Sequence, residues 1–180
     1  TDLNLCRNKI CAAGGEAIGR GLKANRFLTA LNLSCNQVGD GGAIALGNAI
    51  EVNTTLKTLM LGGEYGGNQI GPDGAIALGK ALEGNQALIA LSLRANRLGP
   101  IGGKAMAKML EANSTLVSLN LFCSKIGNQG VIAIGKALEL NTVLTVCFLW
   151  GNGLERSTKD MLRLVGAARE SLTIKLYAEE

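Results

Sequence analysis

The chain of 180 residues contains no histidine, the side chain that most often serves as general base or zinc ligand. Mechanisms that depend on imidazole are thereby excluded. Aromatic residues make up only 3% of the sequence against 47% apolar residues in all, so the core has to be built from aliphatic side chains. No apolar run approaches the roughly 18 residues of a membrane span, and the opening residues TDLNLCRNKI lack the features of a signal peptide. The 5 cysteines (Cys6, Cys11, Cys35, Cys123, Cys147) are odd in number and include no C-x-x-C pair. That composition argues for reduced thiols in a cytoplasmic protein over a zinc site or a closed disulfide framework. The charge of +4 is spread along the chain without a basic block, so nucleic acid is not an expected partner.

What the sequence has in abundance is a period. Units open at Leu28, Leu56, Leu88, Leu116 and Leu144 and follow L-x-x-L-x-L-x-x-N-x-[IVL]-G-x-x-G-x-x-A, with a partial unit before them. In LTALNLSCN, Leu31 and Leu33 alternate with Ala30, Asn32 and Ser34, the two-residue period of a short strand with one buried face. In the stretch that follows, Ala43, Leu46, Ala49 and Ile50 recur at helical spacing. Each unit is therefore one strand, one turn and one helix, and strands separated by a helix run parallel. Parallel strands stack about 4.8 Å apart while packed helices need about 8 to 10 Å. Such a stack bends toward its strands, giving a right-handed curved α/β solenoid with a concave parallel sheet and convex helices.

The invariant positions carry structural expectations. Asn8, Asn36, Asn68, Asn96 and Asn152 leave the strands where an amide can satisfy backbone groups, and Ser124 breaks that series as a local weakness. Gly14, Gly42, Gly74, Gly102 and Gly130 are expected just before the helices. Asn25, Asn53, Asn85, Asn113 and Asn141 are expected after them in the left-handed conformation. Small residues at Gly19, Gly47, Gly79, Ala107 and Gly135 draw neighbouring helices together, and Lys80, Lys108 and Lys136 face Glu83, Glu111 and Glu139 within each helix. After Asn152 the pattern decays, and residues 155–180 read as a C-terminal cap with a longer helix and a short strand, LTIKL.

This unit resembles the leucine-rich repeat family, in particular its ribonuclease-inhibitor-like class with repeats of about 28 residues, and it is similar to the repeats of NOD-like receptors. The resemblance covers residues 1–154. It implies a non-catalytic, cytoplasmic protein-binding module without a cofactor, and the entry of the chain partway through a repeat leads us to expect further repeats or domains upstream, as in a larger receptor or scaffold. A spacer or autoinhibitory lid and a small-GTPase activator are the alternatives.

No chemistry competes with that expectation. The GK pairs at 79, 103 and 135 sit on helices and are each followed by alanine, so none is a phosphate loop, and the repeat carboxylates fall on the convex face. The concave face is richer. Phe122, Phe148 and Trp150 project from it, Arg94 stands in the same row as Phe122 and Trp150, and Asn120 lies beside them. Aromatic and arginine side chains grouped on a rigid sheet make a candidate site for a protein or peptide partner. A second candidate is the four-residue insertion, residues 64–67, in LGGEYGGNQ, which lengthens one unit and places Glu64 and Tyr65 on the rim beside this face.

Overall fold

Each leucine of the alternating pair commits its short segment to a strand, because only the strand period puts both on the helix side of the sheet. The computed structural model describes residues 1–64 and 67–177. Its strands are β1 (Asp2–Asn4), β2 (Ala30–Asn32), β3 (Thr58–Met60), β4 (Ala90–Ser92), β5 (Ser118–Asn120), β6 (Val146–Phe148) and β7 (Thr173–Lys175). They alternate with helices α1 (Ala12–Ala24), α2 (Gly39–Ile50), α3 (Pro72–Gly84), α4 (Gly99–Ala112), α5 (Gly127–Leu140) and α6 (Arg156–Ala167). The strands form one parallel sheet in sequence order, with Leu3, Leu31, Leu59, Leu91, Leu119, Cys147 and Ile174 in a single row. From Leu31 to Cys147 that row is buried against Leu46, Leu78, Met106, Ile134 and Leu162 of the helices, which is the α/β solenoid expected from the period.

Backbone groups at the strand exits are satisfied by asparagine. Asn96 Nδ2 donates to Leu61 O (3.0 Å) and Leu93 O (2.9 Å), while its Oδ1 accepts from the N–H groups of Asn68 and Ile70 at 3.0 Å each. Asn36 and Asn152 repeat the pattern two repeats to either side. At the irregular position the hydroxyl of Ser124 donates to Leu93 O (3.0 Å) and Phe122 O (3.2 Å), replacing the donor arm only. Serine has no amide oxygen to reach Asn96 N and Leu98 N. Ser124→Asn should therefore raise stability by about 1 kcal/mol in urea unfolding; a loss would show that the site has closed around the smaller side chain.

The second asparagine series differs from expectation. Asn25, Asn85, Asn113 and Asn141 are extended, with φ near −75° and ψ between 118° and 131°, not left-handed. Extended backbone lets Oδ1 fold forward onto the next strand entry, as in Asn113, which accepts from Thr115 N (2.9 Å) and Leu116 N (2.7 Å). Its Nδ2 donates back to Leu82 O and Asn85 O, so each asparagine joins two repeats. The left-handed conformation falls instead on the residue before each strand-exit asparagine, and before Ser124 in its place: Arg7 (φ 61°), Cys35 (φ 56°), Gly67 (φ 48°), Ala95 (φ 56°), Cys123 (φ 51°) and Gly151 (φ 74°). Gly67 is thus the counterpart of Cys35, and the extra residues are 63–66.

The glycines expected before the helices lie inside their first turns. A Cβ at Gly42 would stand 2.4 Å from Val38 Cγ1, and one at Gly74 would stand 2.7 Å from Ile70 Cγ2, so the space belongs to the residue that closes the preceding loop. Helices approach backbone to backbone at the small positions: a Cβ at Gly19 would meet Ala45 O at 2.7 Å and one at Gly47 would meet Ala77 O at 3.0 Å. The Lys–Glu rows also pair otherwise than expected. Lys108 reaches Glu83 of the preceding helix at 3.1 Å, because the close stacking puts that carboxylate nearer than the one on its own helix. A carboxylate bridges repeats at the helix starts as well, with Asp40 Oδ1 accepting from Gly71 N (2.7 Å) and Gly74 N (2.9 Å) at the head of α3.

At the C-terminal end, α6 has 12 residues and is no longer than its neighbours, while β7 extends the sheet in register. Arg169 takes the place of the next asparagine of the second series, its guanidinium donating to Asn141 O and Leu144 O. A longer side chain spans the gap that the altered α6 leaves open.

Candidate binding groove on the concave face

Side chains that point away from the helices line a groove of about 640 Å³ across the sheet. Its floor is made by small residues of β3 to β5, Thr58, Ala90, Ser92 and Ser118, together with Met60, which is 42% exposed. Short side chains there let another chain approach the sheet closely. Asn120 and Phe148 close the floor toward β6.

At the strand-exit edge Arg94, which lines the groove, continues into a stack of three side chains from successive repeats. The rings of Phe122 and Trp150 lie 4.0 Å apart between centroids and are tilted by 30°, and the Arg94 guanidinium sits 5.2 Å from the centre of the Phe122 ring. The strand register produces this directly, since Arg94, Phe122 and Trp150 leave β4, β5 and β6 at equivalent positions. The three aromatic residues of this face are half-buried, not fully exposed, and the Phe122 and Trp150 rings each cover part of the other. Asn120 Oδ1 fixes the strand exit by accepting from Phe122 N at 3.0 Å.

Gly62 is the residue that admits Arg94. A Cβ at Gly62 would lie 2.4 Å from Arg94 Cγ, so the arginine stem crosses the backbone of the preceding repeat where a side chain is missing. The Nε of Arg94 is buried without a hydrogen-bond partner among the described residues. Sequence reasoning placed Arg94 in the row but missed Gly62, whose signal is the break of the alternating pattern at a strand exit.

The same strand-exit edge continues through the first repeats to the insertion. Glu64 pairs with Arg7 at 2.8 Å, with Cys6 and Cys35 beside them. Tyr65 lies outside the described residues. The Glu64 backbone N–H and then the Arg7 side chain hold the Cys35 thiol below its usual range, whereas desolvation and the neighbouring Cys35 push Cys6 up. Cys11 is lowered by the N–H groups of Gly14 and Ala13 at the start of α1, and burial pushes Cys147 up to about 12. All five cysteines are free thiols. Iodoacetamide at neutral pH should therefore label Cys11 and Cys35 first and spare Cys147 until the chain unfolds. A lowered pKa means more thiolate at a given pH, so both fast rates should inflect below the ordinary thiol value of 9.0. Uniform labelling of the five would contradict this arrangement.

Among the described residues no cluster of side chains suits a metal ion and no helix is long and apolar enough to cross a membrane. The leucine-rich repeat family model matches residues 24–47, 52–79 and 112–135. A search of curated protein sequences gives no match. Among solved structures, actin-binding site 2 of leiomodin-1 superposes with a TM-score of 0.60 at 18% identity, covering 93% of this chain and 79% of that one. The C-terminal domain of Caenorhabditis elegans tropomodulin does so with a TM-score of 0.60 at 15% identity, covering 84% and 90%. At these identities the likeness is one of fold, and the fold is the leucine-rich repeat solenoid.

Proposed function

We propose that the chain is a non-catalytic protein-interaction module that binds an extended segment of a protein partner in the groove across its sheet. The observation that carries this reading is the shape of the groove: a floor of small side chains with Phe148 at one end and, along the strand-exit edge, Arg94 braced by the Phe122–Trp150 stack and the Arg7–Glu64 pair. Flat rings held in place by their neighbours offer apolar area at small entropic cost, as interface hot spots do. Actin-binding site 2 of leiomodin-1, built on the same fold, supports use of this fold for protein contact. The resemblance to NOD-like receptor repeats supports a place in a larger cytoplasmic receptor or scaffold.

The test is selection of random peptides on the immobilised chain, followed by titration of the selected peptides against Phe148→Ala and Trp150→Ala. Each substitution should weaken binding about tenfold or more, while circular dichroism shows the fold intact. Unchanged affinity for both variants would remove the groove from consideration.

A further inference from the structure

We infer that the groove selects a partner segment by an acidic side chain, aspartate or glutamate, which Arg94 receives. The inference rests on the groove reading above and gives it a chemical specificity. Among the described residues Arg94 is the groove cation without an ion pair: Arg7 is held by Glu64, and the remaining pairs involve Lys108, Arg156 and Arg163 on the helices. Its Nε is buried and lacks an acceptor, so part of the hydrogen-bonding capacity of the guanidinium is desolvated yet unused. The terminal Nη groups, which also make no hydrogen bond among the described residues, are left to receive a ligand oxygen, and a carboxylate matches the planar guanidinium with two parallel bonds.

The arginine is also held ready. Its stem lies over Gly62, where no Cβ leaves room for it, and its guanidinium rests on the Phe122 ring, itself stacked on Trp150. Little rotamer freedom remains to be lost on binding. Among the described lining residues the carboxylate is Glu64, which is paired with Arg7, so a basic partner would meet the uncompensated charge of Arg94 and an acidic one would relieve it.

Position decides where the carboxylate comes from. Arg94 follows β4, in the middle of a groove that continues to Ser34 on one side and Phe148 on the other. A chain terminus placed at Arg94 would leave half of that surface uncovered, whereas an acidic side chain within an extended segment lets the peptide run past it in both directions. Among the described residues the groove lining offers one cation without an ion pair, which suits a carboxylate better than a phosphate carrying nearly two charges.

The experiment uses random dodecapeptides displayed with both ends joined to carrier protein, selected in parallel on the native chain, Arg94→Gln and Arg94→Lys. Native selections should converge on peptides with Asp or Glu at one fixed position, and changing that residue to Asn or Gln should weaken binding about tenfold or more, with affinity falling as salt rises. Arg94→Gln should erase the difference between the acidic and amide peptides, and Arg94→Lys should keep part of it. Peptides that need Phe148 but carry no acidic residue and ignore Arg94→Gln would overturn the inference and leave the groove reading standing. Peptides that ignore Phe148→Ala and Arg94→Gln alike, or an empty selection, would count against both.

Discussion

Replacing Asn96 by alanine should lower stability by about 3 to 5 kcal/mol, because it strands several buried backbone groups at once. The side chain bonds Leu61 O, Leu93 O, Asn68 N and Ile70 N, and the residue is 1% exposed. All four bonds are buried. In a stack where each repeat contacts only its neighbours, the loss falls on the interface between the third and fourth strands and should split a cooperative urea transition into two. Asn8→Ala is the control: Asn8 is exposed and its amide donates to Cys6 O alone, so about 0.5 kcal/mol is expected there. Equal effects at both positions would show that the asparagine series is decorative.

Gly103→Val should cost about 3 kcal/mol by forcing two helix backbones apart. The Cβ of any other residue at 103 would stand 2.8 Å from the Gly130 Cα, and one at 130 would stand 3.2 Å from the Gly103 Cα, so neither helix has a flexible atom that can give way. Separation of α4 from α5 also moves β4 from β5, and with them Arg94 from Phe122. The variant should therefore lose peptide binding as well as stability. Gly21→Ala, inside α1 with nothing within 4 Å of its Cβ, should raise stability by about 0.5 to 1 kcal/mol. Thermal unfolding of the pair separates close packing from helix propensity: a neutral Gly103→Val would mean that the helices slide freely.

The sheet, its order and the buried row were legible because strand and helix periods alternate without interference and the leucines mark each register. The errors came where one residue type has two uses. Asparagine after a helix commonly turns left-handed, but here the following strand needs its N–H groups capped, and extended backbone serves that need. Lysine and glutamate three residues apart usually meet on their own helix, but glycine contacts bring the next helix closer. For the candidate site, the common row of Arg94, Phe122 and Trp150 could be counted from the repeats, and the stacking follows from it. The space at Gly62 and the Cys35 thiol under Glu64 could not, because the insertion interrupts the count where both arise.

Hydroxyl-radical footprinting of the chain bound to a selected peptide tests the assignment of the concave face most directly, since it reads side chains on both surfaces in one experiment. Met60, Phe148 and Trp150 should be protected from oxidation, while Ile44 and Ile76, exposed on α2 and α3, keep their free rates. Protection of Ile44 and Ile76 with Met60 and Trp150 unchanged would place the partner on the helices and contradict the account.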